Sequence, residues 1–411
     1  MEAMMLRHFR HVLVAGVAAV LLTVTACSSG EGGTRQGSAS GEPIVIGSSG
    51  PQTGQAFNQP EQVEGLEAAV NAVNAAGGIN GRPLKLEFCD GKFDPNAEIN
   101  CARQLVAKKV AVAIDPNFTA DASGTAYKIL DGAGIPYLTR GGVPSTLTSR
   151  NAFLIGGGTP GWYSGAASAL VSGGATNVTI LVGASPSAQA AAPIVDQALD
   201  RAGTPHQTVV FDPKADPTGE TSAAKAMAGG VNGIALAMAT SAMPVVLSAL
   251  NRGGYKGGVA TCNCVVTPAL IQALGPISEG MKVVSSTALV TDTANPGIRQ
   301  YLADLKAAGK DAQPKDISLL DWSSVKIFAE LAKKMTGTID NVSVKAALEN
   351  LSEPIDVHTV PPWSIKGKTP PAPQWPRALN PDVQVGVIHG GVIQPDGKGF
   401  VDPFTVASKG G

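Results

Sequence analysis

Ile44-Val45-Ile46-Gly47-Ser48-Ser49-Gly50-Pro51-Gln52-Thr53-Gly54 sets an apolar run against a turn of small residues. A helical period follows, with Val63, Leu66, Val70 and Val73 on one face. Gly77-Gly78 ends it, because glycine accepts the left-handed backbone past a last turn. Leu84, Leu86 and Phe88 then alternate with Lys85 and Glu87, the pattern of a half-buried strand. Asp94-Pro95 starts a second helical segment carrying Ala97, Ala102, Leu105 and Val106. Strand, helix, strand, helix is the unit of a parallel sheet covered by helices. Such sheets bind ligands outside the carboxyl ends of their strands. Here those ends carry Ser48, Ser49, Thr53, Gln55 and Phe57.

Three ordered pieces carry a family resemblance: Ile44-Val45-Ile46-Gly47-x-x-Gly50-Pro51-x-x-Gly54, then Asn74-x-x-Gly77-Gly78-Ile79-Asn80-Gly81-Arg82-Pro83-Leu84, then Asp94-Pro95. Together they resemble the opening of the leucine/isoleucine/valine-binding protein family, the extracytoplasmic solute-binding subunits of ABC importers. The likeness runs from Ile44 to Val392. It implies an α/β type I periplasmic binding protein: two Rossmann-like lobes with parallel sheets and a three-stranded hinge. It further implies a monomer without cofactor or catalytic residues. The lobes would close over a small polar solute and hand it to ABC permease subunits. On this reading residues 1–26 are a lipoprotein signal peptide and 27–42 a flexible tether. Lobe 1 comprises 43–160 with 286–350, and lobe 2 comprises 161–285 with 351–411.

Arg7 and Arg10 precede an apolar stretch, 12–24, too short to span a bilayer by itself. It ends in Val24-Thr25-Ala26-Cys27, which resembles a bacterial lipobox. Cys27 is therefore the expected lipidation site, placing the protein at the extracytoplasmic face of the bacterial cell membrane. An ordinary signal peptide that ends near a cysteine is the alternative. The 31 basic and 32 acidic residues nearly balance, so no basic field suits nucleic acid. Of the five cysteines, Cys89 and Cys101 are expected to be bonded, as in many members of the resembled family. A loop of that length stabilises by roughly 3 kcal/mol. Cys262-Asn263-Cys264 stays open between a strained bridge and free thiols. With no histidine or second cysteine pair nearby, a metal site is not expected there.

The expected ligand contacts lie at strand ends. In the first lobe they are Phe57, then Phe118 and Thr119 in the segment 117–121, then Arg140, Gly141 and Gly142. By resemblance the segment near Thr119 holds a ligand carboxylate through hydroxyls and free amides at a helix start; a plain helix cap is the alternative. Arg140 suits bidentate pairing with a carboxylate, against the alternatives of a surface position or a pairing with Asp115. In the second lobe, strand-like and helical runs alternate again and bring Ser185, Ser187 and Thr240 to the cleft. The glycine run 156–161 reads as a flexible crossover, with Trp162 or Tyr163 facing ligand or packing in the hinge. The proline-rich 361–376 reads as an extended surface segment.

Asn263 departs from the family pattern. Counted back from Glu279-Gly280-Met281, it falls where amino-acid binders place an acid for the ligand ammonium. Asparagine brings no charge, so a solute without a free α-ammonium is expected. An exported amidase or esterase is a competing function. The five histidines are His8, His11, His206, His358 and His389, and they form no visible triad or zinc pattern. A ligand sensor sharing the fold is the other alternative.

Overall fold

The computed structural model describes residues 40–54, 58–309 and 315–405, all within one compact unit, 36–411. Two sheets organise it. The first contains β1 (Ile44–Gly50), β2 (Leu84–Asp90), β3 (Val112–Ile114), β4 (Tyr137–Thr139) and β5 (Ala152–Leu154). Its order is β2-β1-β3-β4-β5, and every pairing is parallel. The second contains β6 (Val178–Gly183), β7 (His206–Phe211), β8 (Gly233–Ala237), β9 (Gly258–Cys262), β10 (Lys282–Ser285), β11 (Val383–His389) and β12 (Val392–Val401). Its order is β12-β11-β10-β9-β8-β6-β7, parallel except where β11 joins β10 and β12.

The opening stretch builds as its pattern predicts. Ile44 and Ile46 are buried in β1. The helix Pro60–Ala75 starts with proline, whose missing N–H has no partner to lose there, and buries Val63, Leu66, Val70 and Val73. Gly65 lies where this helix crosses Asp316–Lys333; a Cβ at that position would collide with the Ser318 carbonyl. The Asp94 carboxylate caps the helix Pro95–Ala107 by accepting from the Ala97 N–H at 2.8 Å. The sulfurs of Cys89 and Cys101 are bonded, tying the end of β2 to that helix.

Three strands of chain cross between the sheets, after β5, after β10 and before β11. They are packed together by backbone. A Cβ on Gly156 would lie 2.8 Å from the Ser286 carbonyl oxygen, and one on Gly157 would lie 2.6 Å from that of Pro381. The glycine run is therefore a close-packing device, and the helix Gly158–Ser172 begins inside it. This replaces the flexible crossover expected from composition. The Gln384 side chain adds a buried link, its Oε1 accepting from the Leu289 N–H at 2.7 Å.

The segment between Asn350 and β11 also differs from expectation. Trp363 is fully buried and donates its indole N–H to the Leu154 carbonyl at 2.8 Å. Leu351, Ile355 and Val360 join the same core as β1 and β3. Trp375 and Ala378 pack with Tyr137 and Leu154. Residues 351–378 thus pack on the first sheet, and the return to the second sheet comes with β11. Proline set the backbone path, but the two tryptophans decided burial, because each carries a large apolar area.

Candidate functional site

The carboxyl ends of both parallel sheets face a common cleft, and the polar groups gathered there come from both lobes and the crossovers. Arg140, Asp316, Ile317 and Leu320 line it from the first lobe, and Trp162, Asn263 and Cys264 from the second. Ser285, Ser286 and Thr287 line it from the middle crossover. The enclosed space is about 20 Å³, room for one water. A solute of several heavy atoms enters only when the lobes part. A larger hollow of about 470 Å³ lies between Pro268, Ile271, Pro276 and Gly391, at the opposite end of the second sheet. Its walls offer few polar groups, and Glu279 there is held by His389 at 2.8 Å. The convergent polar groups place the candidate site in the cleft.

Behind the cleft, Asp115 follows β3 and Arg140 follows β4, and the parallel register, with Ile114 opposite Leu138, brings the two within reach. Asp115 accepts from the Arg140 backbone N–H at 2.9 Å and from Nε at 2.6 Å, and also pairs with Nη2. Burial works against the Arg140 charge, but the charge and hydrogen bond of Asp115, together with Asp321 and Tyr127 nearby, outweigh it and raise the guanidinium further. Asp321, 0% exposed, faces the same pair. Burial, then the Asp115 carboxylate beside it, raises its carboxyl well above the usual range. Neither Asp321 carboxyl oxygen has a hydrogen-bond partner among the described residues. Gln62 anchors the arrangement, its amide donating to the carbonyls of Ser49 at 3.2 Å and Asp115 at 2.9 Å.

The segment 117–121 is built differently from the expected anion nest. Glu98, buried on the helix Pro95–Ala107, accepts from the N–H groups of Ala120 at 3.1 Å and Asp121 at 2.7 Å. Burial, opposed by these two bonds, raises Glu98 to about 7. Asp121 in turn accepts from the Ala126 N–H at 2.7 Å, inside the helix Thr125–Gly132. The amides near Thr119 are thus met by the protein's own carboxylates. Phe118 is 1% exposed and packs edge-on against Tyr127, with ring centroids 5.1 Å apart, so it is a core residue. Thr119 is exposed.

Gly141, at φ +71°, packs against Leu154, and Gly142 lies beside Arg140. The Ser185 hydroxyl accepts from the Ala188 N–H at 3.3 Å. The Thr240 hydroxyl donates to the Val265 carbonyl at 2.9 Å, fixing the loop that follows β9. Cys262 and Cys264 are bonded around Asn263. Trp162 faces the cleft, whereas Tyr163 packs into the cores behind it. Thr53 gives its hydroxyl to Asp90. Phe57 and Cys27 lie outside the described residues, as does the Ser187 side chain. The structure therefore brings Arg140 and Asn263 together, and adds Ser285, Ser286, Thr287 and Asp316, which the sequence reading did not select. The adjacent hydroxyls 285–287 at a strand end were a readable signal. Asp316 was not, since it precedes the apolar period of its helix.

Among the described residues no histidine lines this pocket, no group of three or more His, Cys, Asp or Glu could hold a metal ion, and no helix is long and apolar enough to cross a membrane. The periplasmic binding protein family matches residues 43–368. An amino acid binding protein from Pseudomonas aeruginosa is 35% identical over 108 residues, which cover 26% of this chain and 29% of that protein. A Leu/Ile/Val-binding protein homolog from Brucella abortus is 33% identical over 108 residues, covering 26% and 27%. The chain thus spans less than a third of the length of these curated relatives. Among solved structures, an extracellular ligand-binding receptor from Verminephrobacter eiseniae superposes with a TM-score of 0.71 at 20% identity, covering 86% of this chain and 99% of that one. A branched-chain amino acid transporter substrate binding protein from Streptococcus pneumoniae, solved with isoleucine, gives 0.68 at 16% identity, covering 86% and 98%. The fold is that of the type I periplasmic binding proteins, and the chain belongs to the periplasmic binding protein family, a family of solute-binding proteins rather than of enzymes.

Proposed function

We propose that this chain is the extracytoplasmic solute-binding component of an ABC importer, closing its two lobes over a small polar solute and delivering it to permease subunits. The observation that carries the reading is the cleft itself: one pocket lined by polar groups from both lobes and from the crossover that joins them. Closure about the packed crossovers sequesters the solute. Solution scattering across a solute library tests this: the saturating solute should compact the protein, and an unchanged radius at saturation would defeat the closing-lobe reading. Lipidation at Cys27, with the protein working as a monomer at the membrane surface, belongs to the same proposal. A Cys27→Ala variant should leave the membrane fraction or stay unprocessed; a processed, acylated variant would remove the anchor from the reading.

A further inference from the structure

We infer that Asp316 receives the cationic group of the bound solute, so that this cleft selects an ammonium-bearing solute through the first lobe. The inference rests on the solute-binding reading and deepens it. Asn263 supplies no charge from the second lobe, and the sequence therefore pointed to a solute lacking a free ammonium. The folded chain changes the premise. Asp316 opens the helix Asp316–Lys333 and is the one carboxylate among the described residues lining the pocket that holds Asn263.

Its surroundings suit a cation that arrives with the solute. The Ser285 hydroxyl donates to Oδ2 at a long 3.3 Å. Among the described residues no lysine or arginine pairs with Asp316: Arg140, across the pocket, is held by Asp115, and the adjacent Lys315 pairs with Glu61 at 3.2 Å. Burial, opposed by the Ser285 bond, raises the Asp316 carboxyl to about 7. The Ser286 hydroxyl, in a residue 3% exposed on the same wall, has no partner among the described residues. It can accept from an ammonium whose other protons face Asp316. Trp162 lines the same pocket, and indole rings attract cations. A half-buried carboxylate, an orphan hydroxyl and an indole together recognise an alkylammonium. Arg140 keeps donor capacity for an anionic end, so a zwitterion fits.

A cation stabilises the charged form of Asp316, so binding releases a proton and affinity rises with pH through about 7. Of the other groups around it, burial raises Tyr301 to about 12 and the Asp115 pairing raises Arg140. Asp321, also raised, lies behind the pocket. Glu98 titrates near the same pH beneath residues 120 and 121, so the Asp316→Asn variant separates its contribution.

The test is calorimetry with free amino acids and small primary amines, each paired with its deaminated analogue. Amine-bearing probes should bind, their deaminated partners should bind roughly tenfold or more weakly, and Asp316→Asn should erase both that preference and the pH dependence. Asp316→Glu should keep part of each. Circular dichroism reports whether the variants fold. If a deaminated probe binds as well as its amine, or if folded Asp316→Asn keeps the preference, the inference is overturned while solute binding stands. If no amine binds wild-type protein, the inference is overturned too; a solute without a cationic group identified by native mass spectrometry then leaves the importer reading intact.

Discussion

The two lobes bring opposite chemistry to one cleft. The first carries its ionisable groups: Asp115 paired with Arg140, the buried Asp321 behind them, and Asp316 at the pocket wall. The second carries neutral groups: the indole of Trp162, the amide of Asn263, and hydroxyls at Ser185 and Thr240 that are tied to its own backbone. Among the described residues every ion pair lies within one lobe. Among the described residues, opening the cleft would therefore break no ion pair. A cleft held shut by its own ion pairs would resist opening by several kcal/mol. Here the charges are settled on one side, and the other side moves as an uncharged cover.

The largest effect should come from breaking the charged side. Asp115→Asn leaves the Arg140 guanidinium, 13% exposed, without its counter-charge. Removing one partner of a buried pair costs about 3–5 kcal/mol. Urea denaturation should show a loss of that order, together with lost solute binding. A loss below about 1 kcal/mol would mean the pair is solvated during breathing and the two lobes differ less than their geometry indicates.

This contrast was only partly legible in the sequence. The βαβα opening, the Asp94 cap and the alternating second lobe follow from local period and local capping, which act within a few residues. Arg140 was identified, with Asp115 among its alternatives. Three features needed the fold. Glu98 fills amides twenty-two and twenty-three positions along the chain. Phe118 sits at a strand end by sequence but turns into the core against Tyr127. Asp316 and Asn263 share a pocket although their separation in sequence gives no hint of it. In each case a long-range contact decided the environment, and environment decided the role.

A smaller effect should appear in the pH dependence of stability. Glu98 and Asp316 both rise to about 7 in the folded state, from ordinary values of 4.5 and 3.8. A raised carboxyl binds its proton more readily folded than unfolded. Its stabilising contribution is full below the unfolded value and is lost as pH climbs toward 7. Both groups belong to the first lobe. In the second lobe, Asp216 and Glu279 are lowered, by backbone bonding from Ser222 and by the His389 hydrogen bond respectively. Their contribution changes at lower pH, as they protonate. Between about pH 4.5 and 7 the falling slope should therefore come from the charged lobe, where Asp321 is raised as well, with Asp382 near the third crossover, also raised by burial, adding to it. Glu98→Gln should flatten that slope in thermal melts. An unchanged slope would assign it elsewhere.

The smallest effect tests the neutral side. The Thr240 hydroxyl donates to the Val265 carbonyl at 2.9 Å, and that loop positions Asn263 and the bonded cysteines on either side of it. Thr240→Val keeps the shape and removes one neutral hydrogen bond, so stability should fall by about 1 kcal/mol. If the second lobe is only a cover, solute affinity should change little, roughly twofold to threefold, through looser placement of Asn263. If Thr240 instead turns its hydroxyl to the solute on closure, affinity should fall by roughly tenfold, with the same loss of stability in the unliganded protein. Measuring both quantities on the same variant separates a loop tie from a ligand contact. A tenfold loss of affinity beside that loss of stability would return to the second lobe a share of the recognition proposed for the first.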